Sequence, residues 1–232
     1  MTGQPETVPG RDRRARRDGG KTAPLQSAPV TLPSVQGKGQ WQPRVFGLDL
    51  SLTSTGIAGA DWALAARPGR RRGHERMDWL LCNIGLCLKD GADLAVVEGA
   101  AYAQGAQAGH HELAGLWWQV TQYLWRHRIP YAVANPHHRT IYATGRANPA
   151  QHLPRKERSR VAKGMVRAVA IERYGVECDG PGRYDQADAT ILAAMGLDWL
   201  GYPTVPVPDT HRRALEAVQW PDLIPASANQ GN

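Results

Sequence analysis

"VFGLDLSLTSTGIAGA", residues 45–60, decides how the rest of the chain is read. Its first part is a short apolar run of the kind that forms a buried strand. Asp49 stands at the end of that run, and a turn of Ser, Thr and Gly follows it. "TGIAGADWAL" then reads as the partner strand of a hairpin. A Ser/Thr/Gly turn after a strand can cradle a phosphate, and a strand-end aspartate can hold a hard metal ion. The stretch alone leaves both open.

Working outward, the pattern alternates. Met77, Leu80, Leu81, Ile84 and Leu88 recur at helical spacing, and Gly91 supplies a stop. "ADLAVVEGA" is a second buried strand, ending on Glu98. "HHELAGLWWQVTQYLWRHR" is an amphipathic helix with Leu113, Leu116, Trp117, Val120 and Leu124 on one side. "PYAVANP" is a third core strand, closed by Pro136. "RKERSRVAKGMVRAVAIERYG" reads as a basic helix ending at Gly175, and "DQADATILAAMGLDWLG" as a last helix ending at Gly201. A strand-rich start followed by alternating helices and strands makes one α/β domain, residues 44–202. Residues 1–43, with the cluster "RDRRARR", are expected to be a disordered basic tail, because they hold too few apolar residues to offset the entropy of ordering. Residues 203–232 are expected to be a Pro-rich tail, interrupted only by a short helical pattern around His211–Val218.

The chain has 232 residues, a formal net charge of +7 and a pI near 9.6, which suggests a polyanionic partner, nucleic acid or a membrane surface. Arg greatly outnumbers Lys, a bias that a GC-rich genome also produces, so part of this signal is discounted. The three cysteines form no CxxC pair and read as reduced thiols. No apolar stretch approaches the ~18–20 residues of a membrane span, and the Met1 end carries no hydrophobic leader core. The expectation is a soluble, intracellular protein: cytoplasmic and nucleoid-associated, or in the host cytoplasm if phage-encoded.

The acidic residues narrow the chemistry. Asp49 and Glu98 lie at strand ends, where open α/β sheets place their ligands. Asp185 and Asp188 are three apart at the start of the last helix, hence on one face. Asp185 alone would serve as a helix cap; a second carboxylate one turn on makes capping an insufficient account. A carboxylate directly after a buried apolar run, as at Glu98, needs a partner or a metal. Four carboxylates from four positions suit Mg²⁺, which prefers oxygen ligands. Two such ions can activate water and stabilise the leaving oxygen of a phosphodiester. That links an acidic cluster to a basic protein, since without metal the cluster would repel a nucleic-acid backbone.

"GLDLSLTSTGIA", "AVVEGAAY" and "DQADATILAAMG", in this order, resemble the RuvC-type Holliday junction resolvases, within the RNase H-like nuclease superfamily. The phage-type branch is the nearest likeness, and "GHHELAGLWW" and "YATGRANP" share it. The resemblance implies an RNase H-like fold, a mixed central sheet flanked by helices. It implies a homodimer that resolves four-way DNA junctions by paired symmetric nicks, with two Mg²⁺ ions per subunit and Mn²⁺ as a substitute. The metal-ligand roles fall on Asp49, Glu98, Asp185 and Asp188, and the catalytic basic residue on Lys163, with Arg158 and Arg160 as rivals. Leu50 stands where the family often has Pro. The family's junction-probing aromatic lies three residues beyond its Glu; here Ala101 takes that place and Tyr102 follows, leaving open a junction contact or a buried or interface role for Tyr102.

From Arg139 through Arg173 the chain carries nine Lys or Arg against Glu157 and Glu172. DNA phosphates are expected there, on Arg139, Arg146, Arg155, Lys156, Arg158, Arg160 and Lys163. A solvated helix face is the plainer account of the same charges. The pairs His110–His111 and His137–His138 lack the i, i+4 spacing of a helical zinc site. Trp117 and Trp118 read as core and subunit interface. Three alternatives stand beside the junction nuclease: an RNase H-like nuclease acting on RNA–DNA hybrids or flaps, an actin-like ATPase or sugar kinase, and a non-catalytic DNA-binding relative. The actin-like proteins need two domains of this size and a second glycine-rich phosphate turn. The non-catalytic relative would be favoured by loss of a carboxylate, and all four are present.

Overall fold

The computed structural model describes residues 30–31, 42–99 and 110–224. In chain order the elements are β1 (Val30–Thr31), β2 (Val45–Asp49), β3 (Thr55–Ala58), β4 (Ala63–Ala66), α1 (Gly73–Leu88), β5 (Leu94–Glu98), α2 (His110–Arg126), β6 (Tyr131–Ala134), α3 (Pro136–Thr144), α4 (Arg155–Tyr174), α5 (Arg183–Trp199), α6 (Asp209–Arg212) and β7 (Leu223–Ile224), with 3-10 turns at Gly180–Gly182 and Arg213–Ala217. The main sheet has the order β4-β3-β2-β5-β6. β2, β3 and β4 pair antiparallel, while β5 and β6 run parallel to β2. This is the mixed central sheet flanked by helices that the resemblance implies; the alternating pattern by itself implies only an α/β domain. β1 and β7 form a separate parallel pair of two residues each.

Strand periodicity divides the core into two layers. Phe46 and Leu48 of β2 and Ala95 and Val97 of β5 pack with Met77, Leu80, Ile84, Leu116, Val120 and Leu124 of α1 and α2. Val45 of β2 and Leu94 and Val96 of β5 point the other way, toward Ile191, Leu192 and Met195 of α5. Between these, Gly47 lies under α5 itself. A Cβ added to Gly47 would stand 2.0 Å from the carbonyl oxygen of Ala189, and one added to Gly56 of β3 2.0 Å from that of Asp185. Helix backbone therefore rests on strand backbone, and only glycine permits that approach. Ala189 and Ala193, both fully buried, face β2 and Ala58 from the helix side. The stripe of small residues in "ATILAAMG" is this contact.

Three differences from the sequence expectations bear on the site. "TGIAGADWAL" holds two strands, a hairpin of its own, because Gly59 to Trp62 turns the chain and Gly59 N–H donates to the Trp62 carbonyl at 3.0 Å. Pro136 does not merely close β6: Asn135 caps a helix there, its side chain accepting from the His137 amide at 2.9 Å, with Pro136 in the first turn. The stretch after Gly201, expected as a tail, packs. Ala214, Leu215 and Val218 join the α5-side core, and Trp220 stacks on Trp199 with ring centroids 4.6 Å apart. Gln219 bridges to Val133 of β6. The tail expectations for residues 1–29, 32–41 and 225–232 lie outside the described residues.

A buried polar clasp fixes this segment. The Asp198 carboxylate, 2% exposed, accepts from Arg212 Nε and Nη2 at 3.0–3.1 Å and from the Tyr142 hydroxyl at 3.0 Å. Asp198→Ala leaves Arg212 without this acceptor and Tyr142 with the longer bond to the Ala194 carbonyl at 3.3 Å, and is expected to lower stability by about 2 kcal/mol, since Arg212 keeps access to water. Urea unfolding midpoints of the two proteins check this; equal midpoints would show that the clasp contributes nothing.

Candidate active site

Register brings the first two carboxylates together. In the parallel β2–β5 pair, Leu48 stands beside Val97, so Asp49 and Glu98 are the next residues along both strands. Alternation turns both toward the α5 side. Asp49 also pairs with Gly56 across β2–β3, and Gly56 lies under the Asp185 carbonyl. The backbone contact that seats α5 thus sets its first turns beside the strand ends. Asp188 is 4% exposed. Asp185 sits in the first turn and makes no capping hydrogen bond; Gly182 occupies the cap position.

Glu98 is held from two sides. Its carbonyl accepts from Trp117 Nε1 of α2 at 3.2 Å, and the next amide, Gly99 N–H, donates to Ala134 O at 2.8 Å. Trp117, expected as core, therefore also anchors the strand end that carries this carboxylate. The Ser/Thr turn after Asp49 uses the hydroxyls of Ser51, Thr53 and Thr55 on itself, while the buried Ser54 hydroxyl has no partner. Thr55 Oγ1 donates to the Ser51 carbonyl at 2.7 Å, and Ser51 and Thr53 hydroxyls lie 3.2 Å apart.

At the point where these elements meet stands Arg139 of α3. Its Nη1 is paired with Glu98 and lies 3.9 Å from Asp49 Oδ1; its Nη2 lies 3.2 Å from Asp188 Oδ2. Arg139 is 8% exposed, and its Nε has no hydrogen-bond partner. The sequence count of basic residues puts Arg139 on the DNA-facing surface; the structure puts it inside the carboxylate cluster. The reason is the short helix α3, which leaves β6 beside Glu98 and turns this side chain inward.

The electrostatics follow from crowding. Burial, then repulsion from Glu98 and Asp188, holds the Asp49 carboxyl well above its usual range, with Arg139 opposing. Burial raises Glu98 to about 7, against the pull of Arg139, and raises Asp188 likewise. Burial also disfavours the Arg139 charge, but Asp188, Glu98 and Asp49 outweigh it and keep the guanidinium protonated. Lys163 of α4 is exposed yet close enough to offset part of the rise at Glu98 and Asp188.

A stability profile follows. A carboxyl whose folded pKa is raised stabilises the fold most below its ordinary value, and that contribution is lost as pH climbs through the folded value. For Glu98 the window runs from 4.5 to about 7, and its span corresponds to a loss of roughly 3 kcal/mol. Urea midpoints of metal-free protein measured from pH 4.5 to 8 are expected to fall across this window relative to those of Glu98→Gln. Parallel profiles would show that Glu98 is not perturbed.

Oxygen donors gathered around a positive charge are the donor chemistry of a hard divalent cation such as Mg²⁺. As arranged, the guanidinium takes that position, and among the described residues no three His, Cys, Asp or Glu side chains are grouped so as to hold an ion.

Beside the cluster runs a basic surface. Arg155, Lys156, Arg158, Arg160 and Lys163 are exposed on α4, and Arg146 is exposed after α3. A groove of about 570 Å³ is lined by Arg146, Asn148, Gln151, His152 and Arg213. Arg213 is absent from the sequence-based set because it belongs to the segment expected as a tail. A neighbouring groove of about 410 Å³ shares Asn148 and Gln151 and reaches Arg158. Tyr102 lies outside the described residues. No described helix is long and apolar enough to cross a membrane.

No family model and no curated protein matches the chain. Among solved structures, the chain is similar to RuvC of Thermus thermophilus at 16% identity and a TM-score of 0.46, covering 71% of this chain and 99% of that one. It is similar to T. thermophilus RuvC in complex with a Holliday junction substrate at 15% identity and a TM-score of 0.48, covering 72% and 100%. The yeast mitochondrial Holliday junction resolvase Ydc2 matches at 13% identity and a TM-score of 0.41, covering 75% and 81%. With TM-scores below 0.5, the fold class rests on the strand order and directions of this chain's own sheet, a mixed five-stranded α/β architecture.

Proposed function

We propose that the chain is a divalent-metal-dependent, structure-selective DNA endonuclease that resolves four-way junctions. The observation that carries this reading is the convergence of Asp49, Glu98 and Asp188 on one cation, next to an exposed basic helix. A pure DNA-binding module has no use for three clustered carboxylates, two buried and one half-buried, which disfavour an approaching phosphate.

Asp49, Glu98 and Asp188 would hold Mg²⁺, with Asp185 completing the set; the ion would neutralise phosphate charge and make water a better nucleophile. The chain's own residues do the rest. Lys163 stabilises charge that develops on the phosphate. Arg155, Lys156, Arg158 and Arg160 follow the backbone from α4, and Arg146 extends that track toward the groove. Such contacts position DNA without reading bases, which suits selection by shape.

Junction resolution needs two symmetric nicks, hence two copies of the site. Trp118 and Trp125 are seven residues apart on one face of α2, each 64% exposed, and Leu86 of the adjoining α1 is 65% exposed. Large apolar side chains left in water on one helix face suit burial against a second copy.

The deciding assay incubates the purified protein and Mg²⁺ with a synthetic four-way junction, a linear duplex, a flap and an RNA–DNA hybrid, with Asp185→Asn as the control. Paired symmetric nicks confined to the junction are expected. Cutting confined to the hybrid, or activity undiminished in Asp185→Asn, would overturn the assignment.

A further inference from the structure

One buried side chain has a place in the cluster but no part in the chemistry just described. Arg139 contacts carboxylates from three separate elements: Asp49 on β2, Glu98 on β5 and Asp188 on α5. Asp49 and Asp188 are buried and Glu98 is half-buried, so the three repel one another when ionised and each gives up hydration. A cation must compensate them, and the guanidinium does so with its two terminal nitrogens. Its Nε, in contrast, is buried without a partner. An arginine built in as a permanent structural strut would be expected to satisfy that donor as well. This one is held by charge at one end and left unfinished at the other.

We propose that Arg139 is a resident counter-cation that holds the carboxylates together in the metal-free protein and competes with the divalent ion for them. This rests on the reading of the cluster as a metal site. Metal loading then requires the guanidinium to withdraw from at least part of the cluster. Arg139 is near the start of α3, four residues after the cap Asn135. His137 and Thr140 of the same helix line the groove that reaches Arg158, so the basic surface lies close by. Arg139 is accordingly a positioning residue: it keeps the ligand set assembled and empty of metal until a cation of higher charge density displaces it. Cation affinity is set by this competition and not by the carboxylates alone.

The test is metal binding, independent of cleavage. Calorimetric titration of the full chain with Mn²⁺ and with Mg²⁺ compares wild type, Arg139→Gln, Arg139→Lys and Asp188→Asn, with thermal unfolding of each with and without metal. Arg139→Gln is expected to bind the ion about 10-fold more tightly or better, because one competing charge is gone from a buried site. Its metal-free melting temperature should fall below that of wild type and rise more on adding Mg²⁺. Arg139→Lys, which folds more readily because it retains a charge, should also bind more tightly than wild type, since one ammonium cannot pair with three carboxylates at once. Unchanged or weaker binding in both Arg139 variants, with binding still abolished by Asp188→Asn, would overturn the competition while leaving the metal site standing. Absence of any Asp188-dependent binding would overturn both.

Discussion

Asp188→Asn is expected to reduce junction cleavage by about 10³-fold or more, because charge stabilisation at a metal site contributes several kcal/mol and each 1.4 kcal/mol is a factor of ten. Asp188 is the carboxylate with the least alternative. It is 4% exposed, it faces Arg139 Nη2 at 3.2 Å, and it sits on a helix whose backbone is pressed against the sheet. An amide in its place cannot supply the negative charge. The substitution should cost little stability, because it also relieves repulsion toward Asp49. The measurement is single-turnover cleavage of a four-way junction, with circular dichroism and the unfolding midpoint recorded on the same samples. Loss of activity with a retained fold assigns the effect to the site; near-normal cleavage would remove Asp188 from the chemistry.

The second large effect concerns a single methyl group. Gly47→Ala is expected to destabilise the protein by about 3 kcal/mol or more, at the upper end of overpacking effects. The added Cβ would lie 2.0 Å from Ala189 O and 2.6 Å from Ala193 N, and both obstacles are backbone that no rotamer change can clear. Gly164→Ala is the matched control. In α4 a Cβ at that position meets nothing within 4 Å, so alanine there should raise stability by about 0.5–1 kcal/mol through helix propensity. Opposite signs in urea unfolding would establish that α5 rests directly on β2. Tolerance of Gly47→Ala would mean that the helix can lift away, and then the spacing of Asp49 to Asp188 is not set by this contact.

Much of the site was legible because a carboxylate at the end of a buried apolar run carries positional information. Once "VFGLDL" and "LAVVE" are read as buried strands, their carboxylates fall at strand ends, where open α/β sheets place ligands; the parallel register then sets them side by side, and the small residues of α5 are its contact with the sheet. Arg139 was not legible in the same way. Counting charges along 139–173 treats each arginine as solvent-facing, whereas this one is turned inward by a helix whose nine residues, "PHHRTIYAT", bury only Arg139, Tyr142 and Ala143. A segment that short has too little apolar periodicity to declare itself; "NP" at its start, a cap residue followed by a first-turn proline, was the available signal. The stretch after Gly201 misled for a related reason. Its prolines rule out long helices and strands, but they do not prevent Leu215, Val218 and Trp220 from packing as isolated anchors.

Those anchors bear on how the molecule behaves among its own copies. β6 is the outermost strand on its side of the main sheet, and Gln219 bridges to it at Val133 while the Asp198–Arg212 clasp holds the returning chain in place. An outer strand left bare is a template on which another chain can add a strand. A truncation ahead of Asp209 would remove that cover and is expected to leave β6 open to edge-to-edge pairing between copies.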